Sequence, residues 1–447
     1  MSEFTYPARM HQRTHTHAAI LSIGDELTLG QSLDTNSRTL SQRLVDLGIV
    51  PIEHATVPDD IERHVAALER LASIAPLVIS TGGLGPTPDD LTRNALARLL
   101  RQPLVQDDLS LAQIEAFFEA AGTTMRPNNR LQAFRPEGSH ALPNLRGTAP
   151  GLFASVEINA NPCDVFCLPG PPGEMIPMFE AQVLPRLRPP MDRVVRTRAL
   201  HCVGLGESEI ASRLGDRMNR DASPLVGTTA SGGIVSVRLR LEVAASGPEA
   251  IADADATLDA AVAGIRPLLA PHIFSDDTPS LAQTIVSRMK SACQSLALAE
   301  SCTGGTLAGQ ITDVPGSSAI LRAGWVVYTE EAKARDLGVD AALLHAHGVY
   351  SAQCATDLAT RARAIAGTSH AIGITGLAGP DGGTRETPIG SVWIALATPT
   401  GVDTRRFKFS GDRAAIRRSA CVSALATLWL NLSGSPNTRL MRQSDVL

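Results

Sequence analysis

Leu77-Val78-Ile79-Ser80, running into Thr81-Gly82-Gly83-Leu84-Gly85-Pro86-Thr87-Pro88-Asp89-Asp90 and then Leu91-Thr92-Arg93, decides the fold of the N-terminal half. A short apolar run closed by a glycine loop reads as a buried strand, and the acidic pair before Leu91 reads as a helix start. The same order of strand, turn and helix occurs twice more. Upstream, Ala19-Ile20-Leu21-Ser22-Ile23 leads to Gly24, and Ser37 to Leu47 carries helical spacing that stops at Gly48. Downstream, Asp164 to Leu168 precedes Pro169-Gly170-Pro171-Pro172-Gly173. Strands alternating with helices imply an α/β fold with a mainly parallel sheet covered on both faces. Ligands bind beyond the carboxyl ends of such strands, so the three punctuated loops are expected to line one cleft.

Further along, Pro185 to Pro190 is proline-rich and reads as a linker. Val235-Ser236-Val237-Arg238-Leu239-Arg240-Leu241-Glu242-Val243 alternates as a half-exposed strand does, and Pro248 to Ile265 reads as a helix. These make a small α+β middle domain with no catalytic constellation, for which a spacer or dimer-organising role is expected. An amphipathic helix from Ser280 leads to the strand Ser295-Leu296-Ala297-Leu298-Ala299, and three more apolar strands are expected near Trp325 to Tyr328, Ala371 to Ile374 and Val392 to Leu396. The expected division is a disordered tail over 1–17, an N-terminal domain over 18–188, the middle domain over 190–275, a C-terminal α/β domain over 279–432 and a tail over 433–447.

A chain of 447 residues exceeds what one core organises, and 44% hydrophobic against 19% charged residues is a globular composition. Net charge of -5 and a pI near 6.1 argue against an extended phosphate-backbone footprint, so nucleic acid is not an expected partner. Seven cysteines are scattered, and Cys163 and Cys167 sit in an apolar run, so buried thiols in a reduced cytoplasm are expected. No apolar stretch reaches the roughly 18 residues of a membrane helix, and Met1 to His17 lacks a signal core. His11, His15 and His17 read as part of a mobile polar tail.

In the C-terminal part, Ala299-Glu300-Ser301-Cys302-Thr303-Gly304-Gly305 is followed by Pro315-Gly316-Ser317-Ser318 and by Tyr328-Thr329-Glu330-Glu331-Ala332-Lys333. Amide hydrolysis needs a nucleophile, a base, a donor for departing ammonia and donors for the oxyanion. A serine and a lysine supply the first two if the amine is neutral, which requires a pKa lowered from about 10.4 toward roughly 7 to 8. Thr329 reads as an N-cap, so Lys333 falls one turn into a helix, where the positive dipole end and burial both oppose protonation. Glu330 and Glu331 must then point outward. By spacing alone Ser318 reads as a turn residue, and Cys302 as either a rival nucleophile or a buried thiol. Ser301 and Thr303 read as helix caps or phosphate ligands, and the Gly379-Pro380-Asp381-Gly382-Gly383 loop allows close backbone approach to a ligand. Arg405, Arg406, Lys408, Arg413, Arg417 and Arg418 form a basic cluster, read as a solvated helix face or a phosphate contact.

In the N-terminal half Asp25, Glu26, Asp34, Asp59, Asp89 and Asp90 fall in loops or at helix starts, and Gly82, Gly83 and Gly85 offer backbone N–H groups to a phosphate. Singly, Asp89 or Asp90 reads as a helix N-cap; together these carboxylates suit a Mg2+-type site.

With Thr375-Gly376-Leu377-Ala378-Gly379-Pro380-Asp381-Gly382-Gly383 and Ser410-Gly411-Asp412-Arg413, the C-terminal motifs resemble the C-terminal domain of the CinA family, the nicotinamide mononucleotide deamidases. Gly24-Asp25-Glu26-Leu27, Asp34-Thr35-Asn36-Ser37 and Thr81 to Asp90 resemble the family's other domain, related to the three-layer molybdopterin-binding proteins. The resemblance spans residues 18–432. It departs in small ways: Trp325 for a small residue, Val349-Tyr350 for an Ala-Val pair and Thr387 for a lysine.

The resemblance implies amide hydrolysis of nicotinamide mononucleotide without a cofactor, with Ser318 as nucleophile, Lys333 as general base and Tyr328 orienting or relaying the proton. Substrate would be held by Ser301, Thr303, Gly304, Gly305, Thr375, Gly376, Gly379, Gly382 and Gly383, with Arg413 on the phosphate. For the N-terminal domain it implies cleavage of ADP-ribose into AMP and ribose 5-phosphate with a divalent metal (Mg, Mn or Co). Asp90 is then catalytic, Asp59, Asp90, Asp25 and Glu26 are metal ligands, and Gly82, Gly83 and Gly85 bind substrate. The Pro169 to Glu174 loop is expected to close the pocket wall. A homodimer is expected, in the cytoplasm, without nucleic-acid or membrane partners. The alternatives are a pterin-binding module without hydrolase activity and a competence- or DNA-damage-linked interaction protein.

Overall fold

The computed structural model describes residues 14–244 and 247–444. Its first strand, β1 (His17–Ile23), is buried at every position after His17. The chain continues through α1 (Asp25–Thr28), α2 (Thr35–Asp46), β2 (Val50–Val57), α3 (Ile61–Ile74), β3 (Leu77–Thr81), α4 (Thr92–Leu100), β4 (Leu104–Gln106) and α5 (Asp108–Ala120). It then forms β5 (Phe134–Pro136), β6 (His140–Leu142), β7 (Gly151–Ile158), β8 (Asn161–Leu168) and α6 (Pro172–Met178). Six of these strands make one sheet in the order β2-β1-β3-β8-β7-β6, parallel from β2 to β8. Alternation along β1 divides the interior: Ala19, Leu21 and Ile23 pack in the core beneath α3, and Ala18 and Ile20 in the core beneath α2. That is the expected three-layer α/β arrangement. Asp34 starts α2 by accepting from Ser37 N at 2.9 Å, and also takes the hydroxyl of buried Ser22 at 2.7 Å, which ties the helix to β1.

The expected N-terminal tail stops short of His15. That ring is 1% exposed, with Nε2 3.0 Å from Asp164 Oδ2 on β8. Its backbone N–H donates to Arg188 O at 2.7 Å, and Nδ1 accepts from Arg188 N at 3.0 Å, so the proline-rich stretch is pinned as well. The part of the tail over 1–13, His11 included, lies outside the described residues. Neither Asp89 nor Asp90 caps α4, whose N-cap is Leu91 without a side-chain bond.

The middle region holds β9 (Val194–Val203), α7 (Glu207–Leu214), β10 (Leu225–Ser231), β11 (Ile234–Val243), α8 (Gly247–Leu269) and β12 (Ile273–Ser275), with sheet order β10-β11-β9-β12. It is the expected small α+β domain.

The C-terminal region runs α9 (Leu281–Ser291), β13 (Leu296–Glu300), α10 (Thr306–Thr312), β14 (Leu321–Val326), α11 (Glu330–Leu337), α12 (Ala341–His347) and α13 (Ala352–Ala366). After these come β15 (His370–Gly376), β16 (Ser391–Thr398), β17 (Gly401–Lys408), α14 (Arg413–Leu432) and β18 (Gln443–Ser444). The sheet order is β14-β13-β15-β16-β17-β18, with β14, β13 and β15 parallel and the rest antiparallel. Leu296 and Leu298 face the core under α9 and α14, while Ala297 and Ala299 face the one under α13. The expected C-terminal tail is a second correction. β18 pairs with β17, Leu440 is 3% exposed, and the buried Arg405 donates to Thr438 O at 2.9 Å. Arg405 thus leaves the solvated face expected of the basic cluster; residues 445–447 lie outside the described residues.

Among the described residues no helix is long and apolar enough to cross a membrane. All seven cysteines are free, and Cys163 and Cys167 are buried on β8.

Candidate functional site

β13 brings Glu300 level with Val326 at the end of β14 and Ile374 near the end of β15. Ser301 is the first residue past that edge, with its N–H tied to Ile374 O at 3.1 Å. From β14 the chain passes through Val327, whose N–H donates to Glu300 O at 2.8 Å, and enters α11 with Thr329 as N-cap, accepting from Ala332 N at 3.2 Å. Lys333 lies one turn inside. Its side chain folds back over the sheet edge, and Nζ donates to Val327 O at 3.0 Å and meets Ser301 Oγ at 3.2 Å. The lysine is 2% exposed and the serine 5%.

Burial pushes the Lys333 amine below the ordinary lysine value, against smaller opposing effects of Cys354, Glu330 and Cys302. Glu330 and Glu331 are both exposed. The outcome is an amine whose protonation burial disfavours, in hydrogen-bond contact with a serine hydroxyl, the arrangement of an activated nucleophile.

That serine is not Ser318. Ser318 is exposed, in a single turn of 3-10 helix over Ser317–Ala319 that feeds the beginning of β14. β14 runs parallel to β13 for 6 residues. At about 3.3 Å per residue, Ser318 stands roughly 20 Å from the edge where Lys333 works. Pro315 and Gly316, the latter with φ of 83°, turn the chain into the strand there, and the turn reading of Ser318 holds. Cys302 is 5% exposed, and burial lifts its thiol to about 12, which removes the thiolate a cysteine nucleophile needs.

Tyr328 is 53% exposed, and its hydroxyl accepts from Arg413 Nη2 rather than from the lysine or serine. Arg413 also donates through Nη1 to Gly379 O at 2.7 Å, so Tyr328, Arg413 and the start of the Gly379 to Gly383 loop come together. Gly382 and Gly383 are exposed on that loop. Thr375 and Gly376 are buried at the end of β15, with Thr375 Oγ1 donating to Val349 O at 2.6 Å. Neither Ser301 nor Thr303 caps α10, whose N-cap is Gly305 without a side-chain bond. Thr303 is fully buried with its hydroxyl unpartnered, and its N–H meets no acceptor among the described residues. Thr303 is therefore a buried residue with an unpartnered hydroxyl, two positions past Ser301.

Two residues near Ser301 escaped the sequence reading of the site. Glu300 is 1% exposed and accepts three backbone N–H groups at the start of α10. Arg417 on α14 donates Nη2 to Thr303 O at 2.6 Å and Thr306 Oγ1 at 2.8 Å. A glutamate inside the run Leu-Ala-Leu-Ala-Glu was the available signal, because a buried carboxylate needs dedicated donors.

In the N-terminal unit the loops after β1, β3 and β8 line a cleft of about 420 Å3. Its walls include Gly82, Gly83 and Gly85, and Pro169, Gly170, Pro171 and Glu174 from the proline-rich loop. Five carboxylates, Glu26, Asp59, Asp89, Asp90 and Glu174, line it, and among the described residues no lysine or arginine does. Asp25 and Asp59 exchange bonds, each carboxylate accepting the other's backbone N–H at 3.1 and 3.0 Å. Burial raises the Asp59 carboxyl above its ordinary value, and the charges of Asp25 and Glu26 act in the same direction. Asp90 is committed to its own loop, accepting from Gly85 N at 2.7 Å, Thr87 N at 2.8 Å and Thr87 Oγ1 at 2.5 Å. Beneath the loop the buried Arg93 donates to Leu84 O at 2.7 Å and Gly85 O at 2.6 Å.

Among the described residues no three His, Cys, Asp or Glu side chains converge as a ligand set. The four expected ligands therefore do not form one cage. Glu26 and Asp59, with Asp25 at their side, fit an ion such as Mg2+ that takes one or two carboxylates and completes its shell with water and substrate phosphates.

Fold and site define a multidomain α/β protein, with a molybdopterin-binding-like domain first and a buried lysine–serine pair in the last domain. The matches to known families follow the same order. Residues 19–189 match the probable molybdopterin binding domain, 197–275 the damage-inducible protein CinA KH domain, and 278–432 the CinA C-terminal domain. A CinA-like protein of Geobacter metallireducens is 39% identical over 409 residues, covering 91% of this chain and 97% of that one. A CinA-like protein of Dictyoglomus thermophilum is 37% identical over 406 residues, covering 91% and 97%. The crystal structure of competence/damage inducible protein CihA from Agrobacterium tumefaciens is 35% identical, with a TM-score of 0.34, over 36% of this chain and 98% of that one. The chain belongs to the CinA family.

Proposed function

We propose that the C-terminal domain hydrolyses the carboxamide of nicotinamide mononucleotide, giving nicotinate mononucleotide and ammonia, with Ser301 as nucleophile and Lys333 as its base. The contact of 3.2 Å between Lys333 Nζ and Ser301 Oγ carries the reading. Ser301 Oγ attacks the carboxamide carbon while its proton passes to the lone pair of neutral Lys333. The ammonium so formed returns the proton to the departing nitrogen, and the C–N bond breaks to leave an ester on Ser301 and free ammonia. Lys333 then takes a proton from water, whose oxygen attacks the ester, and gives it to Ser301 as the acid leaves. The Nζ bond to Val327 O, 3.0 Å, occupies one N–H of the amine and holds the nitrogen at the sheet edge.

The test is ammonia release by the purified chain from nicotinamide mononucleotide, nicotinamide riboside and nicotinamide. Release from the mononucleotide is expected; its absence with all three substrates overturns the proposal.

For the N-terminal domain we propose cleavage of ADP-ribose, bound as its divalent-metal complex, to AMP and ribose 5-phosphate. Five carboxylates without a basic side chain would repel a bare pyrophosphate, so the cleft suits a ligand that arrives with its charge neutralised. A bound divalent ion supplies that neutralisation and a more acidic water. Glu26 and Asp59 would hold the ion, and the Gly82 to Gly85 backbone, braced by Asp90 and Arg93, would receive phosphate oxygens. AMP formation from ADP-ribose with Mg2+, abolished by EDTA, is expected. Tight pterin binding with no AMP formed would instead make the domain a pterin-binding module. Relatives named for competence and damage suggest a third role, but a net charge of -5 does not favour direct DNA binding.

A further inference from the structure

The turn that presents Ser301 is gripped by two opposite charges, neither of which touches the lysine. Glu300 closes β13 and is 1% exposed. Its carboxylate accepts from Gly305 N at 3.0 Å, Leu307 N at 3.1 Å and Ala308 N at 2.8 Å. Arg417 donates one nitrogen to Thr303 O at 2.6 Å and Thr306 Oγ1 at 2.8 Å. Gly304 lies between, with φ of 59°, and a Cβ there would stand 3.2 Å from the guanidinium. A side chain there would crowd the guanidinium by a few tenths of an ångström and would strain a backbone that favours glycine.

A buried carboxylate is a costly way to start a helix of 7 residues, since a serine or aspartate N-cap at the surface serves as well. What the buried charges add is rigidity, because charge-assisted hydrogen bonds are shorter and stronger than neutral ones. We infer that Glu300 and Arg417 are positioning residues that hold the 301–308 turn through separate contacts and so keep Ser301 Oγ against Lys333 Nζ. The inference rests on Ser301 being the nucleophile. A carboxylate presents only acceptors to the three N–H groups, whereas an amide would set its own N–H against one of them. Glu300→Gln therefore keeps the volume and shifts the turn. Displacement of a reacting group by about 1 Å costs on the order of 100-fold in rate.

The experiment measures steady-state ammonia release and thermal melting for wild type, Glu300→Gln, Arg417→Lys, Arg417→Met and the Glu300→Gln/Arg417→Met pair. Expected for Glu300→Gln and Arg417→Met is a kcat lowered roughly 10- to 100-fold with KM within about 3-fold, since the pocket remains while the nucleophile is misplaced. Arg417→Lys, which keeps one donor, should recover part of the loss. The double variant should fall little below the worse single, because both act on one turn. Unchanged kcat in both folded single variants, a rise in KM alone, or a product of the two effects in the double variant overturns the inference. Failure of wild type to release ammonia condemns the amidase reading itself, a result separable from all of these.

Discussion

Lys333 Nζ and Ser301 Oγ meet at 3.2 Å although 32 residues separate them, because β13 and β14 are parallel neighbours and both groups sit just past the same sheet edge. This relationship selects between the two serines the sequence offers. Ser301→Ala is expected to lower ammonia release by at least about 1,000-fold, as loss of a nucleophile does elsewhere. Ser318→Ala, at the opposite edge, should retain turnover within about 2-fold. Initial rates on nicotinamide mononucleotide at matched protein concentration decide it, and the reverse pattern would restore Ser318.

The depressed basicity of Lys333 has a sign in both activity and stability. Turnover should rise with pH through the folded-state value of the amine, below that of ordinary lysine, because only the neutral form accepts the serine proton. Between the folded and unfolded values the unfolded chain holds a proton that the native one lacks, so stability also rises with pH across that window. Lys333→Met should abolish activity and remove this rise; Lys333→Arg should be inactive at every pH because its side chain stays charged. A kcat profile and melting curves over the same pH series check both, and near-normal turnover by Lys333→Arg would refute the base assignment.

The fold was legible because buried strands are written as apolar runs: Leu77 to Thr81 and Leu296 to Glu300 are buried throughout, and both were visible as short runs before glycine loops. The choice of serine was not legible from motif proximity. In a βαβ unit successive loops alternate between the two sheet edges, so Ser318, which precedes a strand, cannot join Lys333, which follows the same strand. The carboxyl-end rule that placed the N-terminal loops selects Ser301 once applied to residues 296–333. The pairing of His15 with Asp164 joins positions 149 apart, and no local pattern encodes it. Arg417 was visible only as one of a basic cluster, because its distinguishing contact is a backbone carbonyl in a turn 114 residues away.

Arg413 joins the Tyr328 hydroxyl to the carbonyl of Gly379, while its exposed guanidinium keeps donors for a ligand. If it receives the substrate phosphate, Arg413→Ala should raise KM for nicotinamide mononucleotide by about 10-fold or more and leave whatever rate wild type shows on the riboside nearly unchanged. Equal losses on both substrates would assign the arginine to loop placement instead. Tyr328→Phe tests the same link with a smaller expected effect, because the Gly379 contact survives.

Asp59 carries the clearest consequence for the N-terminal cleft. Its carboxyl value is raised by burial and by the charges of Asp25 and Glu26, so the ionised form is strained in the folded protein. The native state then holds a proton that the unfolded state has released between the ordinary carboxyl value and the raised one, and stability falls as pH climbs through that window. Asp59→Asn should flatten this fall and raise the melting temperature at neutral pH without metal. A divalent ion bound by Glu26 and Asp59 should stabilise the wild type by about 2.7 kcal/mol at 100 times its Kd, and the variant by much less. Melting curves with EDTA and with graded Mg2+ read both effects, and an equal shift in the two proteins would show that the ion binds elsewhere.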